Sequence, residues 1–204
     1  MDHLIEKYFG EIDLSKSNKC EEIIDGATSC IDCCGKQYFN NNKIDYSCEQ
    51  KRKIYVLRYL PVHYREMYLA ASRIPKNTFE TFFQCETINV LSLGGGPRSD
   101  IVAIKQKLID KNDNEIKIDV NILRIDIVSD WNPIALDIIN IQKDTAITFN
   151  HFKRNCNLVK DVLPKKGHNL ITMSYLISEV DFDDIPCLIS NIKNSLAEIA
   201  VIFN

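Results

Sequence analysis

Glycine and proline are scarce in this sequence, whose 204 residues include seven glycines and six prolines. Long disordered tails, which are usually rich in such residues, are therefore not expected. Positive charge is not in excess either, because 25 basic residues stand against 28 acidic ones and the net charge is −3. Binding to nucleic acid through overall charge is thereby excluded, and any such binding requires a local patch or a partner.

The sequence also lacks an apolar run long enough to cross a bilayer. Its N-terminus, residues 1–7, is amphipathic and acidic. It has neither the basic-then-apolar layout of a signal peptide nor the Arg and Ser bias of a transit peptide. We therefore expect a cytoplasmic or nuclear protein, in which the eight cysteines are mostly reduced.

The chain divides into two regions of different character. In residues 1–86 the apolar spacing is helical, and most of the tyrosines and six of the eight cysteines lie there. Pro61 fits the first turn of a helix, where its missing N–H costs nothing. We expect this region to form an N-terminal helical, Cys- and Tyr-rich cap.

Strand and helix signals alternate in residues 87–204. Strands that alternate with helices predict a parallel sheet covered on both faces, and near-continuous apolar strands agree with that. The sequence thus predicts an α/β fold with a Rossmann-like, doubly wound parallel sheet. The expected strands are 87–93, 119–128, 145–149, 170–174 and 199–203, and the expected helices are 99–108, 132–141 and 185–196.

A glycine-rich loop, residues 94–97, follows the first strand directly and opens a helix. Glycines let a backbone turn sharply and approach a ligand, and ligands of open parallel sheets bind beyond the carboxyl ends of the strands. Asp126, at the end of the second strand, can accept hydrogen bonds from ribose hydroxyls, with Asp130 as a second choice. The alternative is that Asp126 only ends a strand.

A dinucleotide-binding oxidoreductase is disfavoured by the spacing of the loop. The fingerprint of that class, Gly-x-Gly-x-x-Gly, needs a third glycine that packs the helix on the strand. Counted from Gly94 that position is Ser99, and counted from Gly95 it is Asp100.

Residues 90–97 resemble the first motif of class I S-adenosylmethionine-dependent methyltransferases. Asn155 and Cys156 fall where that family has a polar residue near the adenine, and residues 169–179 resemble its fourth strand and the loop beside the methyl group. The resemblance implies S-adenosylmethionine as cofactor and methyl transfer as activity. It implies cofactor contacts from Gly94, Gly95, Gly96, Pro97, Asp126, Ile127, Asn155, Cys156, Ser174 and Tyr175.

Residues 91–100, with tyrosine-rich helices before them, are similar to a narrower group that includes ribosomal RNA uridine-N3 methyltransferases. That likeness implies RNA as the substrate. No catalytic base is evident among the four scattered histidines. Many methyl transfers need only alignment of the nucleophile and the methyl group, so this does not count against activity.

Three features favour a different class, a catalytically silent binding or scaffold protein. Arg98 stands where the family usually has another glycine, although it can also contact the carboxylate of a cofactor. Ser92 stands where many members carry an acidic residue. The sequence ends at Asn204 after the fifth strand, whereas the family usually adds two strands. We therefore also expect that the chain is part of a truncated or split enzyme, or that a protein partner binds the exposed sheet edge.

Two further patterns in the N-terminal region each have more than one interpretation. Five thiols provide the ligands for a structural zinc site, or are buried free thiols, or serve redox chemistry: Cys20, Cys30, Cys33, Cys34 and Cys48. Basic residues and tyrosines interleave over residues 51–68 and form either an RNA-binding patch or a helix pair whose tyrosines pack on the sheet. In the second case Tyr64 or Tyr68 can touch the cofactor.

Overall fold

The computed structural model describes residues 2–12, 29–39, 46–113, 115–140, 146–161, 163–164, 167–174, 176 and 180–203. The helices are α1 (Asp2–Gly10), α2 (Cys30–Phe39), α3 (Glu49–Arg58), α4 (Leu60–Ala71), α5 (Lys76–Phe83), α6 (Ser99–Lys111), α7 (Asn132–Ile139) and α8 (Ile185–Ser195). The strands are β1 (Thr87–Leu93), β2 (Ile118–Ile125), β3 (Ile147–Arg154), β4 (His168–Met173) and β5 (Leu196–Phe203). Single 3-10 turns over Ser129–Trp131 and Phe182–Asp184 precede α7 and α8.

The five strands form one sheet in the order β3-β2-β1-β4-β5, and every neighbouring pair is parallel. The chain winds outward from β1 in one direction and then crosses to β4, which creates a switch point between these two strands. The predicted Rossmann-like, doubly wound fold is confirmed. No helix in the described ranges has the length and apolarity that a membrane span needs.

Both faces of the sheet carry buried apolar side chains, as alternating side-chain direction requires. Ile88 and Val90 point into a core with α4, α5 and α6. Leu91 and Leu93 point to the opposite face, where Leu188 of α8 covers them. The helices before β1 share the first of these cores with the strands, and the division of the chain between residues 86 and 87 stays a prediction.

Three strand boundaries differ by three residues or more from those expected. β2 ends at Ile125, three residues early, because the Asp126 carboxylate accepts the N–H of Val128 and turns the chain. β3 extends to Arg154, and its second half is polar, which an edge strand tolerates. An apolar pattern therefore did not predict that half. β5 begins at Leu196, directly after α8.

A ladder of asparagine amides crosses the middle of the sheet. The Nδ2 of Asn150 on β3 donates to Oδ1 of Asn121 on β2 over 3.1 Å, and Nδ2 of Asn121 donates to Oδ1 of Asn89 on β1 over 3.2 Å. The backbone N–H of Asn89 donates to Oδ1 of Asn169 on β4 over 3.0 Å. The ladder joins four adjacent strands through side chains that are only half buried.

Asp100, in the first turn of α6, fastens that helix to two strands. Its carboxylate is 1% exposed and accepts the Ser92 hydroxyl of β1 over 2.7 Å, together with the Thr172 hydroxyl of β4. Burial raises the pKa of Asp100, and the two hydroxyls and the N–H of Ile101 act against that rise. The start of α6 is thereby fixed relative to the switch point.

We expect Asp100→Ala to lower the free energy of unfolding by about 2–4 kcal/mol, because two buried hydroxyls lose their acceptor. The measurement is chemical denaturation of the purified protein. Asp110→Ala on the same helix is the matched control, since its carboxylate is exposed and accepts from the Tyr68 hydroxyl and the Gln106 amide. The control is expected to cost under about 1 kcal/mol. Equal losses in the two variants would contradict this role for Asp100.

Candidate functional site

The glycine loop, residues 94–97, leaves the carboxyl end of β1, and three residues in and directly after it have positive φ angles. Gly94 has φ +60°, Gly96 has φ +39° and Arg98 has φ +73°. The N–H of Arg98 donates to the carbonyl of Gly95 over 2.6 Å and closes a tight turn. An arginine in this region of backbone space is uncommon, so Arg98 fills a conformation that normally favours glycine.

Gly95 passes so close to the sheet that no side chain fits there. A Cβ on it would lie 2.8 Å from Cγ of Arg124 and closer still to the Ser92 hydroxyl. The N–H of Gly95 donates to the carbonyl of Ile125, at the end of β2, over 3.3 Å. The loop therefore rests directly on β1 and β2.

Gly96 is held by a charged side chain at each of its backbone polar groups. Its N–H donates to Oδ2 of Asp126 over 2.7 Å, and its carbonyl accepts from Nη1 of Arg124 over 2.8 Å. The other oxygen of Asp126 accepts the N–H of Val128 over 2.8 Å. Burial raises the pKa of Asp126, and these N–H groups and the Arg124 charge oppose that effect.

Arg98 points away from the loop and under the sheet. Its Nη1 lies 3.0 Å from Nδ1 of His151 and its Nη2 lies 3.5 Å from the carbonyl of Phe152, both on β3. Burial and the neighbouring Arg124 lower the pKa of Arg98 to about 10, and burial with the Arg98 charge lowers the pKa of His151 to about 4. The expected contact of Arg98 with a cofactor carboxylate is wrong for this conformation, because the guanidinium is committed to β3.

Two apolar side chains that the sequence analysis did not single out flank the loop. A Cβ on Gly94 would lie 2.8 Å from Cδ1 of Leu176, and one on Gly96 would lie 3.9 Å from Cε2 of Trp131. Trp131 is buried against Tyr46 and Tyr55 of the N-terminal region. In the sequence, two facts could have pointed to Trp131: it is the only tryptophan, and it follows Asp126 by five residues.

The remaining predicted cofactor residues are not all gathered at the loop. Nδ2 of Asn155 donates to the carbonyl of Asp126 over 3.1 Å, and the neighbouring side chain of Ile127 is 65% exposed. Cys156 is 9% exposed and belongs to the apolar core under α8, where burial raises the pKa of its thiol.

Two other predicted residues follow β4, and one belongs to the loop. Ser174 is half buried directly after β4, beside the carboxyl end of β1. Pro97 is buried within the loop, and Tyr175 lies outside the described residues. The structure thus brings together the glycine loop, Asp126, Ile127 and Asn155 at the carboxyl ends of β1, β2 and β3.

The N-terminal thiols lie inside the helical region. Cys30, Cys33 and Cys34 are buried on α2, and burial raises the pKa of Cys34 to about 11. Within the described part of the chain, no three potential ligand side chains are arranged to hold a metal ion, and no described cysteine is in a disulfide. Cys20, which completes the expected zinc ligands, lies outside the described residues.

The basic and tyrosine-rich segment, residues 51–68, contains both buried and exposed cations. Lys51 and Arg52 are buried, and Nη1 of Arg52 donates to the carbonyl of Tyr46 over 2.5 Å. The ammonium of Lys53 pairs with Glu49 over 2.7 Å. These three cations are engaged within the protein, whereas Arg58 and Arg65 of the same segment are exposed, so an RNA-binding patch there stays a prediction.

Tyr68 of α4 contacts the carboxyl end of α6, whereas the glycine loop enters the amino end of that helix. Its hydroxyl donates to Asp110 over 2.6 Å, and its ring stacks on Tyr64. Asp110 is about 16 Å along the helix axis from Ser99, where the loop enters α6. Tyr68 therefore lies away from the loop, whereas Tyr64 also packs against the apolar cluster that contains Trp131, and its contact with a cofactor stays a prediction.

Comparison with known proteins gives similarity at the level of solved structures. No protein-family model matches the chain, and no curated protein matches it significantly. A protein from Methanococcus maripaludis assigned to the S-adenosyl-L-methionine-dependent methyltransferases is 14% identical, with a TM-score of 0.48 over 73% of this chain and 58% of that one. A SAM-dependent methyltransferase of the DUF858 family from Leishmania major is 9% identical, with a TM-score of 0.44 over 92% of this chain and 65% of that one.

The plantazolicin methyltransferase BpumL, solved in complex with SAH, is 15% identical, with a TM-score of 0.40 over 98% of this chain and 60% of that one. The chain therefore spans less than two thirds of the length of each of these three proteins. At such identities and TM-scores the similarity concerns the fold, and it carries no argument about substrate or activity.

We expect Gly95→Ala to destabilise the protein by about 1–3 kcal/mol, because the added methyl must displace the Arg124 stem and the Ser92 hydroxyl. The thermal unfolding midpoint measures this. Gly10→Ala is the matched control, because a Cβ at the end of α1 meets nothing within 4 Å and alanine favours a helix. A tolerated alanine at position 95 would show that the loop does not need its close contact with the sheet.

Proposed function

We propose that this chain binds S-adenosylmethionine at the glycine loop and acts in methyl transfer. The observation that carries the proposal is the contact between Gly96 and Asp126, which brings the loop after β1 and the acidic end of β2 together. Nucleotide-like ligands of open parallel sheets bind at this position. The resemblance of residues 90–97 to the first methyltransferase motif points to S-adenosylmethionine in particular.

The residues at this position suit the parts of that cofactor. Each oxygen of Asp126 accepts one N–H and keeps a further lone pair, which can accept a ribose hydroxyl. The exposed side chain of Ile127 offers an apolar surface to an adenine ring, and the Asn155 amide beside it offers hydrogen bonds.

S-adenosylmethionine supplies an electrophilic methyl group on a sulfonium, so the protein need only bind and align the two reactants. Ser174, beside the end of β1, borders the region where an acceptor would meet the methyl group. Leu176 lies against Gly94 and gives that side of the loop an apolar surface. No residue need act as a base for an acceptor that is nucleophilic at neutral pH.

The competing function is that of a catalytically silent binding protein, or of one part of a larger enzyme. The commitment of Arg98 to His151 favours this alternative, because the arginine is used to stabilise the fold. A protein partner at the β5 edge of the described sheet would belong to the same alternative. The proposed and the competing function both keep the fold. Measurements of cofactor binding and then of methyl-transfer turnover distinguish them.

We expect the protein to bind S-adenosylmethionine in calorimetry, and Asp126→Asn to weaken that binding by about tenfold or more, because a neutral amide is a poorer acceptor for ribose hydroxyls. Asp119→Asn, at the exposed amino end of the same strand, is the control and should bind as the parent does. No binding by the parent at high micromolar ligand would rule out the proposed cofactor for this chain.

RNA is our proposed class of methyl acceptor, on the basis of the likeness of residues 91–100 to ribosomal RNA methyltransferases. Lys153 and Arg154 are exposed at the carboxyl end of β3, next to Asn155 in the chain, and Lys160 is exposed six residues after Arg154. Phe152, 54% exposed, lies among them. Cations with an exposed aromatic ring suit a phosphate backbone and an unstacked base.

We expect the double variant Lys153→Glu, Arg154→Glu to lose affinity for a single-stranded RNA oligonucleotide by at least about tenfold, measured by fluorescence anisotropy at low and at physiological salt. Lys111→Glu, exposed at the far end of α6, is the control and should change affinity little. Equal affinities in the two variants would argue against an RNA acceptor at this edge.

A further inference from the structure

We propose that Arg124 is the positioning residue that holds the glycine loop in its cofactor-binding shape and thereby sets the affinity for the cofactor. The inference rests on the function proposed above, because it concerns the same loop. Arg124 interrupts the apolar strand β2 and is fully buried. No sequence pattern points to a role for it.

Arg124 contacts the loop in two different ways. Its aliphatic stem lies directly under Gly95, where Cγ occupies the space that a Cβ would need. Its guanidinium turns upward, so that Nη1 donates to the carbonyl of Gly96 over 2.8 Å. One side chain therefore supports one glycine from below and fixes the next through a hydrogen bond.

The guanidinium also connects the loop to α7. Its Nη2 donates to Oδ1 of Asn132, the first residue of α7 and the neighbour of Trp131. Trp131 lies against Gly96 from the other side. The orientation of Gly96 thus depends on a contact set centred on Arg124 and completed by Asp126 at the N–H of the same glycine.

The cost of burying this charge argues that the interaction does more than fill the core. A buried guanidinium loses its hydration, and here its Nε atom has no hydrogen-bond partner among the described residues. Burial lowers the pKa of Arg124, and the charges of Asp126 and Asp100 only partly offset that effect. Apolar side chains of similar volume fill such positions at lower cost.

A positioning role and a purely structural role predict different effects of removing Arg124. If Arg124 only stabilises the core, its removal lowers stability throughout the protein and leaves the loop in the folded state as it was. If it positions the loop, its removal frees the Gly96 carbonyl and loosens the Gly96 N–H from Asp126. The amide of Gly96 then exchanges its proton faster in the folded protein.

The test compares Arg124→Met with Lys105→Met. The methionine at position 124 keeps a stem under Gly95 and removes both hydrogen bonds. Lys105 is the matched control, since it is a buried cation that donates to a backbone carbonyl, that of Ile139 over 3.0 Å, away from the loop. Each variant is measured by thermal unfolding, by amide hydrogen exchange of Gly96 without ligand, and by calorimetry with S-adenosylmethionine.

We expect both variants to lose thermal stability. Only Arg124→Met should speed the exchange of the Gly96 amide and weaken the cofactor, each by about tenfold or more, the effect of losing one charge-assisted hydrogen bond. Arg124→Lys, which keeps the charge and can reach one acceptor, should recover part of both. It also replaces the methionine variant should that protein fail to fold.

Unchanged Gly96 exchange in Arg124→Met, relative to Lys105→Met, would overturn the inference and leave Arg124 a structural residue. If the parent protein binds S-adenosylmethionine, an unchanged affinity in Arg124→Met would also overturn the inference. A parent that does not bind S-adenosylmethionine refutes the proposed function instead. The exchange comparison still decides in that case whether Arg124 positions the loop, because it needs no ligand.

Discussion

The close approach of Gly95 to the ends of β1 and β2 is the constraint on which this site depends. A backbone so near the sheet leaves no room for water, so each polar group beneath it must find a partner in the protein. The Ser92 hydroxyl meets Asp100, and the Gly96 peptide meets Asp126 and Arg124. Glycine at one position thus requires a set of buried polar side chains around it.

These side chains form a compact charged cluster. Two cations, Arg98 and Arg124, and two carboxylates, Asp100 and Asp126, are buried near the start of α6. Their mutual attraction offsets part of the lost hydration, and backbone carbonyls and N–H groups supply the rest of the bonds. Removal of a single member leaves the others with an unbalanced charge, so the cluster behaves as a unit.

The sequence predicts most of the fold because its signals there are local. The apolar run of β1, the glycines after it and the helical spacing from Ser99 each depend on neighbours in the chain. The carboxyl half of β3 escaped prediction because an exposed edge strand needs no apolar alternation. Asp126 was predicted beside the loop, although its bonds to Gly96 and Val128 depend on tertiary contacts. Trp131, Leu176 and Arg124 reach the loop only through folding, and no spacing rule relates them to it.

The asparagine ladder bears on how the strands find their alignment. Parallel strands with nearly uniform apolar side chains can slide by one residue at little cost unless something marks the correct pairing. A slip would turn Asn89, Asn121 or Asn150 toward the apolar core under α4 and α6, where an amide without a partner is costly. The four asparagine amides, far from the glycine loop, thus help to exclude misaligned sheets during folding. Correct alignment also places the carboxyl ends of the strands at the same level, where they support the loop.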